Sequence, residues 1–164
     1  MDAVTYAKKA LEQSFGLFNM IADGMTDEQY NMKPEGTANS IAKSHVHAMT
    51  AVDFFLNGTL MGKQMQWPAF AQANGLPGNP TEIWTHTGAI PLAPMKEYGV
   101  NVQKTALEYV GSLSDADLDR ELDTPFFGKQ TAAFLIMLAG MHSVGHGGDM
   151  SAVKGLQGLK GLPF

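Results

Sequence analysis

The chain has 164 residues, no cysteine, and 11 Lys and Arg against 16 Asp and Glu, a formal charge of −5. That length predicts a single domain, residues 1–164, large enough to bury its own core. The missing cysteine excludes disulfides, thiolate metal ligands and a cysteine nucleophile together, and the acidic balance argues against nucleic acid as a partner.

In chain order, Tyr6, Ala10, Leu11, Ser14, Leu17, Phe18 and Ile21 recur at threes and fours, the stripe of one helix that Asp23-Gly24 stops. Thr26 predicts a cap for a short helical turn through Tyr30, and Pro34 and Gly36 then mark a loop. A second long helix starts on Asn39 or Ser40 as its cap and runs to about residue 58. From 59 to 90 the pattern weakens under Pro68, Pro77 and Pro80, leaving short helical pieces near 67–72 and 81–85. A third long helix spans about 91–111. Ser114 caps a short acidic turn through Leu118, and Asp123-Thr124-Pro125 is a break. The last helix is predicted over about 129–156. No Asn-Gly hairpin and no β-branched cluster supports a strand. The expectation is an all-α fold of four long helices packed as a bundle, with short extra helices in the 59–90 connection.

Met1-Asp2-Ala3-Val4 lacks the basic and then apolar start of a secretory peptide. The longest strongly apolar stretch, 132–141, is too short for the roughly 20 residues of a membrane span. The expectation is a cytoplasmic protein with no membrane partner.

Five histidines carry the candidate chemistry: His45, His47, His86, His142 and His146. His142 and His146 lie one turn apart on one face of the most apolar helix, so both rings can point at one ion about 2 Å from each nitrogen. Burying two imidazoles beside Leu135, Ile136, Leu138 and Met141 is costly without partners, which favours ligands over chance neighbours. Ser143 stands where the zinc-protease motif His-Glu-x-x-His needs its glutamate, and no pair of Glu-x-x-His motifs provides a di-iron site. Asp149 shares the stripe, as a fourth ligand, an acceptor for an imidazole N–H, or a general base. Gly145, Gly147 and Gly148 cost up to about 1 kcal/mol each in a helix, which suggests a close backbone, a ligand or a bend. The other helix offers His45 and His47, about 200° apart on the wheel. The apolar centre set by Ile41, Ala48, Val52 and Phe55 mildly favours His45. His86 reads as a loop histidine. Trp67, Phe70 and Trp84 read as core plugging the bundle end, with a pocket wall as the other reading.

Asn39-Ser-Ile-Ala-Lys-Ser-His-Val-His47-Ala resembles the second helix of the DinB/YfiT-like metalloenzymes, in which a metal-binding histidine follows the serine by seven; seven from Ser40 reaches His47. His142-Ser-Val-Gly-His146-Gly-Gly-Asp is similar to that family's terminal motif, His-x3-His followed by Arg-Gly-Gln. Gly147 replaces the arginine and Asp149 the glutamine. The resemblance implies an antiparallel up-down-down-up four-helix bundle with His47, His142 and His146 holding a divalent metal: zinc, nickel or iron(II) suits three nitrogen donors. It also implies chemistry on a small molecule, as a thiol-dependent S-transferase or a related hydrolase. Without cysteine, any thiol is a low-molecular-weight cosubstrate. Relatives are often homodimers, and a charged content of 16%, under the usual quarter or so, agrees. A non-catalytic bundle that binds a small ligand or a partner, its metal site incidental or unused, is the competing expectation.

Overall fold

The first long helix, α1 (Ala3–Ile21), opens on Asp2, whose carboxylate accepts from the Thr5 N–H, and buries Leu11, Phe15, Phe18 and Ile21. The computed structural model describes residues 1–162. A single turn, α2 (Asp27–Asn31), is held by a capping box in which Thr26 and Gln29 bond each other's backbone N–H. Ser40 caps α3 (Ile41–Val52), which passes unbroken into a π-helical segment, Asp53–Leu60. Then follow α4 (Trp67–Ala73), a 3-10 turn (Pro80–Trp84), α5 (Leu92–Val110) and a second 3-10 turn (Asp115–Asp119). The antiparallel strands β1 (Glu121–Thr124) and β2 (Gly128–Thr131) lead into α6 (Ala132–Leu156).

Both α1 and α3 pack against α5 and α6, so the apolar faces of the long helices close on one core. Tyr30, Ile41, Leu56, Trp67, Ile83, Met95 and Leu135 are fully buried in it. Each such side chain contributes roughly 1.5–3 kcal/mol relative to exposure. The helix ends are tied by side chains from elsewhere in the chain. Asp115 accepts from the Val4 N–H at the start of α1, Asp27 from Leu92 at the start of α5, and buried Asp53 from Gln66 and Trp67 at the start of α4. Each carboxylate satisfies an orphan donor and meets the positive end of a helix dipole. At the opposite polarity, the buried Lys154 ammonium donates to the carbonyls of Ile21 and Asp23 where α1 ends.

Two expectations are corrected. The absence of strands does not hold: β1 and β2 form a hairpin in register Glu121↔Thr131 to Thr124↔Gly128. The last helix therefore starts at Ala132 on a Thr131 cap, because Lys129 belongs to β2, opposite Asp123, and its ammonium forms an ion pair with the Glu121 carboxylate. The hairpin turn needs Gly128, whose φ of 65° lies in the left-handed region. Its tip carries Phe126 and Phe127 outward. The second long helix is two pieces of different winding, α up to Val52 and π beyond it. Among the described residues, no helix is long and apolar enough to cross a membrane.

Candidate metal centre

His47 comes from the middle of α3, and His142 and His146 from successive turns of α6. Their ring centroids stand 4.9 Å (His47–His142), 4.7 Å (His47–His146) and 4.4 Å (His142–His146) apart. One nitrogen from each ring lies within 4.8 Å of the other two. A cation about 2.0–2.1 Å from each nitrogen needs pairs closer than about 4.2 Å, so small side-chain rotations complete the approach. All three rings are half-buried.

The electrostatics favour the neutral form of His47 and His142, the form that ligates. Burial, followed by the neighbouring His146, lowers the pKa of His47. Burial, then His146 and His47, pulls His142 down to about 4. His142 Nδ1 is buried and meets no hydrogen-bond partner, an arrangement that lacks a proton donor or a cation. His146 is oriented from outside the trio: its Nδ1 lies 3.1 Å from Asp149 Oδ2, and Asp149 is itself exposed. An all-imidazole donor set with one orphaned nitrogen fits a borderline divalent ion. Two helices supply all three donors, so part of such an ion's coordination sphere stays open.

The other histidines sit elsewhere. His45, which the helical wheel favoured, is buried at the α1–α5 side of α3. Its Nδ1 shares a 3.0 Å hydrogen bond with the Tyr30 hydroxyl, its ring lies edge-on to Phe18, and burial brings its pKa down to about 3. His86 lies in the loop after the 3-10 turn and lines another cavity with Lys43 and Asn39. Asp149 is not one of the converging donors; of the three roles open to it, the geometry supplies the hydrogen-bond acceptor. The glycines divide: a Cβ on Gly147 would come within 3.1 Å of Ile21, whereas Gly145 and Gly148 face open space. Gly147 thus marks close approach of α1 and α6, and the position where the motif's arginine stands is turned into that contact.

Trp67 and Phe70 pack with Tyr98 as expected of core. Trp84, half-buried like Phe70, also packs against the core, but its ring centroid is 5.0 Å from that of His47 and it walls a cavity of about 480 Å³ beside His47 and His142. Phe54, Phe55, Phe126 and Phe127 complete that wall. The periodicity did not mark these residues as site-forming; the only available signal was the Phe126-Phe127 pair following Pro125 in a polar stretch.

Comparison with known proteins bears on the family and the fold. A profile of the DinB superfamily matches residues 10–150, most of the chain and all three histidines. Among solved structures, a conserved protein from Enterococcus faecalis superposes with a TM-score of 0.78 at 16% identity, covering 95% of this chain and 97% of its own. A DinB-like protein from Bacillus subtilis gives 0.66 at 19% identity, with coverages of 97% and 96%. A search of curated proteins finds no match. Identities this low show a shared fold, and the profile match across residues 10–150 shows the family: this chain belongs to the DinB superfamily.

Proposed function

We propose that this protein is a divalent-metal-dependent enzyme acting on a small molecule, its ion held by His47, His142 and His146. The observation that carries the reading is the convergence of three imidazole nitrogens, from two helices, within 4.8 Å of one another. Zinc and nickel are the metals best suited to this donor set, with iron(II) next. When bound, such an ion supplies Lewis acidity at an open position next to the cavity. The chain's own contribution is to keep His142 and His47 neutral by burial, to orient His146 through Asp149, and to shield one side with Trp84. Transfer of a low-molecular-weight thiol onto an electrophile, or hydrolysis of a small bond, is the chemistry that the family resemblance favours; Asp149 serves as a positioning residue in either. The up-down-down-up course of the long helices is proposed with it, supported by the packing of α1 and α3 on both α5 and α6. Pairing with a second copy of the chain is supported by the exposed Tyr6, Met137 and Met141 along the α1–α6 groove, and sedimentation velocity tests it.

The test is direct. Protein purified without a histidine tag is analysed for bound metal, alongside His142→Ala. Near-stoichiometric zinc or nickel that disappears in the variant supports the reading. Failure to take up either ion at micromolar concentration overturns it in favour of a non-catalytic bundle. If metal binds but no thiol is consumed with an electrophilic acceptor, only the thiol step falls.

A further inference from the structure

The cavity beside the histidines has a wall without charged side chains. Among the described residues that line it there is no Asp, Glu, Lys or Arg; besides His47 and His142 the polar side-chain groups are the hydroxyls of Thr50 and Thr81 and the indole N–H of Trp84. The Thr50 hydroxyl is already committed, donating to the Val46 carbonyl at 2.8 Å. The rest of the surface is aromatic and aliphatic. Three unconnected parts of the chain supply its rings: Trp84 from the 3-10 turn, Phe54 and Phe55 from the π segment, and Phe126 and Phe127 from the hairpin tip.

Two local features keep this surface aromatic at a cost to the fold. The π winding that begins at Asp53 replaces the better hydrogen-bond geometry of an α-helix, and it presents the consecutive residues Phe54 and Phe55 to the same cavity. The hairpin leaves Phe126 72% exposed at the rim, where burial gives it nothing in the isolated chain. At about 480 Å³ the space falls within the range of small-molecule sites.

Charge decides what fits. In the metal-free chain a carboxylate, phosphate or sulfonate moved into such a wall loses its hydration without gaining a counter-ion. The family motif's arginine cannot supply one, because position 147 is a glycine packed against Ile21 and Phe18. We propose that the cavity takes the body of a neutral, flat, largely apolar molecule, an aromatic ring system above all, whose polar reacting end lies at His47 and His142. The proposal rests on the functional reading above only for the placement of that reacting end; the cavity's preference for neutral rings stands on its wall alone. A thiol cosubstrate bearing carboxylates then has to approach from outside this cavity.

The experiment uses the full chain, first free of metal and then with zinc, and compares 1-naphthol with 1-naphthalenesulfonate, the same ring with and without a charge. Binding is read by titration calorimetry and by quenching of tryptophan fluorescence. The metal-free protein is expected to bind naphthol at least about tenfold tighter than the sulfonate. Phe54→Ala/Phe127→Ala is expected to weaken naphthol about tenfold while zinc affinity stays within about threefold. Thr81→Arg, at the exposed rim and harmless to the core, should narrow the preference to under about threefold by recruiting the sulfonate. Equal affinity for the two probes overturns the proposal, as does absence of naphthol binding, or a preference that neither variant alters. Loss of zinc binding with the naphthol preference intact would instead remove the metal reading and leave this one standing.

Discussion

His146 Nδ1 and Asp149 Oδ2 stand 3.1 Å apart, one helical turn along α6. On a neutral ring the Nδ1 proton is donated to the carboxylate, which fixes the tautomer and leaves the Nε2 lone pair free to bind a cation. Asp149→Ala is expected to weaken zinc binding about tenfold, the low end for such partners because the Asp149 side chain is 66% exposed. Asp149→Asn, whose amide oxygen still accepts the N–H, should recover most of the loss. A competition titration against a chromophoric chelator measures both. Equal losses in the two variants would point to carboxylate ligation.

The two histidines of α3 should behave in opposite ways. His47→Ala, like His142→Ala and His146→Ala, is expected to lower zinc affinity by more than about a hundredfold, beyond what loss of an orienting partner does. His45→Ala should leave zinc affinity within about threefold. It should destabilise the fold by roughly 2–3 kcal/mol instead, since it opens a cavity and strands the Tyr30 hydroxyl. Thermal unfolding with and without zinc separates the two effects.

That contrast also shows what was legible in the sequence. The wheel ranked His45 nearer the apolar centre, and His45 is indeed the more buried of the two; the core face and the site face of α3 are different faces. The wheel also used Phe55, which lies beyond Val52, where the winding changes from α to π and the 100° step no longer applies. Motif register reached His47 because it counts residues, not angles. The hairpin stayed hidden because β1 and β2 are four residues each, Glu-Leu-Asp-Thr and Gly-Lys-Gln-Thr, too short and too polar to show alternation. The long helices, by contrast, announced themselves through caps such as Ser40 and through stripes such as Leu11, Phe18 and Ile21.

Acid should act on the protein in two ways. In the unfolded chain a histidine titrates near pH 6.5, whereas burial holds His45 at about 3 and His142 at about 4. Between those values the unfolded chain binds more protons, so stability is fully present above about pH 6.5 and is lost as pH falls toward the folded values. For fully buried His45 the slope is up to about 1.4 kcal/mol per pH unit; His142, partly solvated, adds less in the same direction. Urea unfolding of metal-free protein at pH 7, 6, 5 and 4 should trace this decline, and His45→Ala should flatten it. Bound zinc should be held well below pH 6 and leave as pH falls toward about 4, because protons and metal compete for the same nitrogens and burial holds His142 at about 4. Retention well below pH 4 would speak for carboxylate ligands.

The glycines of α6 give a prediction of opposite signs within three residues. At Gly145 and Gly148 an added Cβ meets nothing within 4 Å, so alanine there gains helix propensity, and each change should raise stability by up to about 1 kcal/mol. At Gly147 the Cβ would sit 3.1 Å from Ile21 Cδ1 and 3.6 Å from Phe18 Cδ2. Restoring the motif arginine with Gly147→Arg forces a long charged side chain into the buried α1–α6 contact. Overpacking and desolvation together should cost about 3 kcal/mol or more. Chemical denaturation of the three variants reads the contrast. A Gly147→Arg protein as stable as the parent would mean that α6 can rotate or slide on α1, which would also move His142 and His146 away from His47. Zinc affinity measured on that same variant therefore reports whether the spacing between these helices sets the geometry of the three histidines.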